Sequence, residues 1–101
     1  MVLDGHGVVR LMGELDIETT PSIRHAVRKS LDNHPTLLRV DLAEASFCDC
    51  SALRALLWAK DEASRTGARF HVSGPLQPPV ARLLAVTGAG VELGVMPDRS
   101  V

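Results

Sequence analysis

Three groups of residues have the types and spacing to do chemistry. The first is Phe47-Cys48-Asp49-Cys50-Ser51-Ala52-Leu53, which joins an apolar run to a helical pattern. Asp49 stands where a helix N-cap belongs, and the free amides of a first helical turn favour an anion or an added phosphate. Cys50 and Ser51 therefore occupy a place where a nucleophile, a phosphoacceptor or a contact residue gains from the local field. The plainer reading is that Asp49 caps the helix and its two neighbours are merely small. The second group, Glu14, Asp16 and Glu18, alternates with Leu15 and Ile17 and so sets three carboxylates on one side of an extended segment. Such a row suits acid–base work or, more simply, an exposed acidic ridge that meets a basic partner. The third is the pair Cys48 and Cys50 together with the dispersed His6, His25, His34 and His71.

Most reactive readings fail on spacing. Redox catalysis prefers C-x-x-C, whereas these cysteines are one residue apart. Structural zinc takes four ligands, and no histidine stands at finger spacing, so no metal is expected. Cys48 reads as a small core filler. Ser51 lacks the G-x-S-x-G elbow, and neither a Walker loop nor G-x-G-x-x-G occurs, so no cofactor is expected. An enzyme using Cys50 as nucleophile would lack a general base at readable spacing. A binding module fits better.

The elements that position these groups follow from periodicity. Val8–Met12, closed by Gly13, reads as a strand; residues 2–4 read as its partner across a Gly5-His6-Gly7 turn. Thr20-Pro21 opens a helix with Thr20 as the capping hydroxyl. Ile23, Ala26, Val27 and Leu31 lie on its buried side, and Arg24, His25, Arg28 and Lys29 on or beside the opposite one. After Pro35, Leu37–Leu42 reads as a strand buried on both faces apart from Arg39 and Asp41. Ala52, Leu53, Leu56, Leu57 and Ala63 mark a second helix that Gly67 ends. Arg69–Ser73 is a further strand, and Pro78-Pro79 opens a third helix with Val80, Leu83, Leu84 and Val86 inward, ending at Thr87-Gly88. Val91-Glu92-Leu93 reads as a last strand, and the residues after Met96-Pro97 as a frayed tail. Alternating strands and helices predict an α/β fold with right-handed crossovers around a mostly parallel sheet.

Composition narrows the class further. The chain has 101 residues, with 11 Lys plus Arg against 12 Asp plus Glu and a formal net charge of −1. That length suits one domain, and a near-neutral chain has no overall basic field for nucleic acid or anionic lipid. No Tyr, two Phe and one Trp leave few platforms for stacking bases. No segment approaches the ~20 apolar residues of a membrane span, and the N-terminus lacks the features of a signal peptide. A cytoplasmic protein is expected.

The order of segments resembles a known family. Gly13-Glu14-Leu15-Asp16 after a strand, Thr20-Pro21 opening a helix, Val40-Asp41-Leu42, then Phe47 to Leu53 and finally Thr87-Gly88 are similar to the STAS domain family. Within it they resemble the single-domain bacterial anti-sigma factor antagonists, over roughly residues 2–96. The resemblance implies one STAS domain over 1–101, with a small mixed, mostly parallel sheet of four to five strands and helices on one side. It implies no catalytic activity. The implied partner is an anti-sigma factor with a histidine-kinase-like ATPase fold that is also a serine kinase, with a phosphatase reversing the phosphorylation. Binding would release a sigma factor for transcription.

The family's phosphoacceptor motif has the form Asp-Ser-Ser-Gly-Leu at the N-terminus of the second helix. Here Asp49 and Leu53 match, Cys50 stands at the usual acceptor position, Ser51 matches the second hydroxyl and Ala52 replaces glycine. A thiol is not a serine-kinase substrate, so Ser51 becomes the candidate acceptor, projecting about 100° further round the helix. By the same resemblance Glu14, Asp16, Glu18, Thr20, Asp49, Cys50, Ser51 and Ala52 form the partner face, with the loop after Gly13 beside Asp49. Another job in the same fold is a STAS subunit of an ABC-type lipid or anion transport complex.

Overall fold

A computed structural model of the chain describes residues 2–5, by backbone only, and 7–95. In chain order the elements are β1 (Val2–Gly5), β2 (Val8–Leu11), β3 (Gly13–Leu15), α1 (Thr20–Leu31), β4 (Leu37–Asp41), β5 (Ala45–Cys48), α2 (Cys50–Arg65), β6 (Arg69–Ser73), α3 (Pro78–Thr87) and the single turn α4 (Ala89–Glu92). Four strands form a sheet in the order β1-β2-β4-β6. The β1–β2 hairpin is antiparallel, and β2–β4 and β4–β6 are parallel. Parallel neighbours need long crossovers, and α1 and α2 supply them. This is the mixed, mostly parallel α/β fold that the pattern of elements predicts.

Alternation on the strands decides which face is covered. Val9 and Leu11 on β2, Leu38 and Val40 on β4 and Val72 on β6 are fully buried. They share the core with Ile23 and Val27 of α1 and with Leu56 and the small Ala52, Ala55, Ala59 and Ala63 of α2. Each large aliphatic side chain buried in this way contributes roughly 1.5–3 kcal/mol. The alternate row of Val8, Leu37, Arg39, Asp41 and His71 is only partly buried. The expectation that β4 is covered on both faces is thus corrected: helices cover one face only.

Two strands leave this sheet. β3 and β5 pair in parallel as a separate ribbon, with a register shift between Gly13 and Glu14. The Gly13 amide donates to the Glu44 carbonyl at 3.0 Å, so the chain departs from β2 toward β5 at this glycine. β5 is an element that helical and alternating periodicity both miss, because its two buried residues, Ala45 and Cys48, are its ends.

The C-terminal reading also changes. Val91-Glu92-Leu93 does not form a strand; Ala89–Glu92 is a helical turn closed by the Leu93 amide on the Ala89 carbonyl at 2.8 Å. A strand would turn Val91 and Leu93 to the same side, yet Val91 is 93% exposed and Leu93 fully buried. Extended pairing falls instead on Val95, which bridges Val72 in parallel. On α3, Val80 and Leu84 are buried four residues apart, while Val86, expected inward, is 78% exposed. The proposed turn at His6 and the tail after Met96 lie outside the described residues.

Candidate functional site at the start of helix α2

Asp49 is the N-cap of α2, in extended conformation, and its Oδ1 accepts the Ala52 amide at 2.9 Å. The same residue ties the ribbon to the helix, since its own amide donates to the Leu15 carbonyl at 3.0 Å. The end of β3 and the first turn of α2 are therefore neighbours, and the turn that follows β3 begins at this junction. Cys50 projects into solvent and Ser51 is half-buried beside it. Ala52, expected on a partner face, is fully buried in the core, so its side chain forms no part of the exposed surface.

The three carboxylates do not form a single ridge. β3 stops at Leu15, and Asp16–Thr19 fold into a turn in which Asp16 Oδ1 accepts the amides of Glu18 at 3.0 Å and Thr19 at 3.2 Å. This self-capping turn is a common use of Asp. The Thr19 and Thr20 hydroxyls both donate to the Asp16 carbonyl, at 2.9 and 3.1 Å. Hence Thr20 is not the capping residue that the sequence suggests: Thr19 occupies the cap position, with no side-chain cap bond, and the helix begins on Pro21 geometry. Glu14 and Glu18 remain exposed, and Asp16 acts as the latch of the turn.

Sequence reasoning misses two apolar residues here. Ile17, expected on the side opposite the carboxylates, is 68% exposed at the tip of the turn, and Phe47 is 46% exposed on β5, opposite Glu14 in the register. The one available signal was an isoleucine between two carboxylates. Exposed apolar side chains rimmed by charge are a frequent feature of protein contact surfaces. A third unforeseen feature lies further along α2, where Arg24 and Arg28, expected on a solvated face, stand over the ring of Trp58.

The two thiols differ sharply. Cys48 is buried, with its Sγ 3.5 Å from the Asp49 carbonyl, and its pKa is pushed from 9.0 to about 11 by burial first, then by the charges of Asp49 and Cys50. The folded chain therefore holds this proton at pH values where the unfolded chain releases it. The resulting stabilisation is complete below pH 9.0 and declines as pH rises toward 11. At neutral pH iodoacetamide should add once to the native chain, at Cys50, and twice after denaturation. Equal native reaction of both cysteines would place Cys48 outside the core. Among the described residues no group of three or more His, Cys, Asp or Glu is arranged to hold a metal ion.

Comparisons with known proteins agree with this architecture. The family model described as Mlab, STAS domain, matches residues 3–96. No curated protein matches the chain. Among solved structures, an anti-sigma factor antagonist from Mycobacterium paratuberculosis is similar at 25% identity and TM-score 0.80, over 98% of this chain and 85% of that one. A Thermotoga maritima protein is similar at 21% identity and TM-score 0.77, covering 99% and 87% of the two chains. The unphosphorylated form of the anti-sigma factor antagonist SpoIIAA is similar at 23% identity and TM-score 0.72, over 90% and 79%. A family match over residues 3–96, on a fold with the same organisation as these structures, has one meaning: this chain belongs to the STAS domain family.

Proposed function

We propose that this protein is an anti-sigma factor antagonist, a cytoplasmic binding module without catalytic activity that frees a sigma factor by occupying its inhibitor. The observation that carries the reading is the junction of β3 and α2: the Asp49 amide on the Leu15 carbonyl sets the Asp16–Thr19 turn beside Asp49, Cys50 and Ser51. Similarity to the mycobacterial antagonist over nearly the whole chain supports it. The partner would be an anti-sigma factor of histidine-kinase-like ATPase fold with serine-kinase activity. It would contact Glu14, Ile17, Glu18 and Phe47 on the ribbon side and Cys50 and Ser51 on the helix side. Asp16, Thr20 and Asp49 would hold the shape of this face, and neither nucleic acid nor membrane would take part.

Ser51 would be the phosphoacceptor in place of Cys50. A phosphate there adds about −1.5 to −2 charge at a first helical turn that favours it, so the helix survives while the docking face becomes more negative. Incubation with the partner kinase and ATP should add one phosphate to the wild type and none to Ser51→Ala, read by intact mass. Absence of phosphate on the wild type, or its persistence in Ser51→Ala, rejects the switch at Ser51. Capture of the native partner tests the wider reading, because recovery of an ATPase-fold anti-sigma factor supports it. The altered motif at position 50 suits a second reading equally, a STAS subunit of an ABC-type transport complex, and recovery of transport subunits would establish that one instead.

A further inference from the structure

The cations of this chain are not treated alike. Arg10 meets Asp41 at 3.7 Å and Arg65 meets Glu62 at 3.3 Å. Arg24 and Arg28, one turn apart on α1, instead converge on a single indole of α2, with guanidinium carbons 5.0 and 5.1 Å from the Trp58 ring centroid. Arg54, one turn before Trp58 on the same side of α2, is exposed. None of these three arginines forms an ion pair among the described residues. Two like charges over one ring repel each other, and an anion placed between them would relieve that repulsion.

We propose that Arg24, Arg28 and Arg54, arranged around Trp58, form a docking surface for a carboxylate-rich segment of a protein partner. Their position over the indole restricts the two arginine side chains before binding, which lowers the entropy cost of ordering them. A guanidinium held over an aromatic ring still carries N–H donors, and its planar fork matches a carboxylate in a two-point contact. Arg and Trp are also the residues that most often dominate protein interfaces. Arg54 and Trp58 lie four residues apart on one side of α2, so one partner segment can reach both. This chemistry is independent of what docks at the N-terminus of α2.

Other polyanions fit less well. A nucleic acid would need aromatic faces for its bases, and the one indole is covered by guanidinium while the chain has no Tyr. A lipid surface would want apolar side chains next to the cations, and the large exposed apolar ones among the described residues, Ile17, Phe47, Val86 and Val91, belong to other elements.

Trp58 is the sole tryptophan, so its emission reports on this surface alone. Titration of the full chain with an oligo-glutamate peptide should give a saturable change in emission that weakens as salt is added. Arg24→Gln with Arg28→Gln should weaken the response by about tenfold or more, and Arg24→Lys with Arg28→Lys, which keeps charge but loses the planar edge, by several-fold. Arg54→Gln should weaken it with an unchanged melting curve, which keeps the test decisive if the double glutamine variant does not fold. No saturable response in the wild type, or an equal one in Arg54→Gln and the lysine pair, overturns the proposal. So does a stronger response to phosphatidylglycerol vesicles or to a single-stranded oligonucleotide than to oligo-glutamate.

Discussion

Leu15→Ala should lower the unfolding free energy by about 3 kcal/mol, and the melting temperature by roughly 12–24 °C for a domain of this size. Leu15 is fully buried, and its β3 backbone is paired with Cys48 of β5. Truncation removes its transfer free energy and leaves a cavity beneath the junction whose surroundings relax only in part. The loss should also reach function where the backbone relaxes into the cavity, because that shift would move the Leu15 carbonyl that accepts the Asp49 amide. Partner affinity should fall together with stability. Leu15→Met, which nearly conserves volume, should cost less than about 1.5 kcal/mol and restore binding. Chemical denaturation of the three proteins is the measurement. A Leu15→Ala protein that melts within a few degrees of wild type would mean that the ribbon is not joined to the core.

Gly7→Ala should have an effect of similar size for a different reason. Gly7 has φ +75°, and an added Cβ would lie 2.6 Å from the Leu37 carbonyl oxygen and 3.2 Å from Pro35 Cβ. The left-handed conformation costs an L-residue roughly 1–2 kcal/mol, and the clash with backbone adds about 1–3 kcal/mol because that neighbour is fixed by the sheet. The Gly7 carbonyl accepts the Arg39 amide at 2.7 Å, so the strand cannot retreat without breaking the β2–β4 pairing. Gly67→Ala is the control. Its φ is +85° with nothing within 4 Å of the added Cβ, so it should cost only about 1 kcal/mol. Equal melting temperatures for the two variants would show that the Gly7 contact yields freely.

Legibility in the sequence followed the range of the forces involved. The Asp49 cap was readable because its signal is local: an acceptor side chain, a first turn and a helical apolar period. The first helix, the central strand and Gly67 were readable for the same reason. The acidic ridge was misread because strict alternation assumes that extension continues, whereas β3 ends at Leu15 and Asp16 bonds to its own following amides. That bonding exposes Ile17, which an extended segment would have turned inward. β5 was missed because a four-residue strand with buried ends carries neither period. The Trp58 cluster depends on the packing of α1 against α2, a contact between residues thirty or more apart for which the sequence carries no local mark.

The bridge between Val72 and Val95 bears on how the molecule resists self-association. A strand at the margin of a sheet presents unpaired amides and carbonyls that template the addition of any extended chain. Beyond β6 that position is taken by the protein itself: the α4 turn sends the chain back, and the Val72 amide meets the Gly94 carbonyl at 3.4 Å. An intruding strand would have to displace this segment, together with the buried Leu93 that anchors it. At this margin the fold therefore acts as its own gatekeeper, blocking growth by backbone pairing.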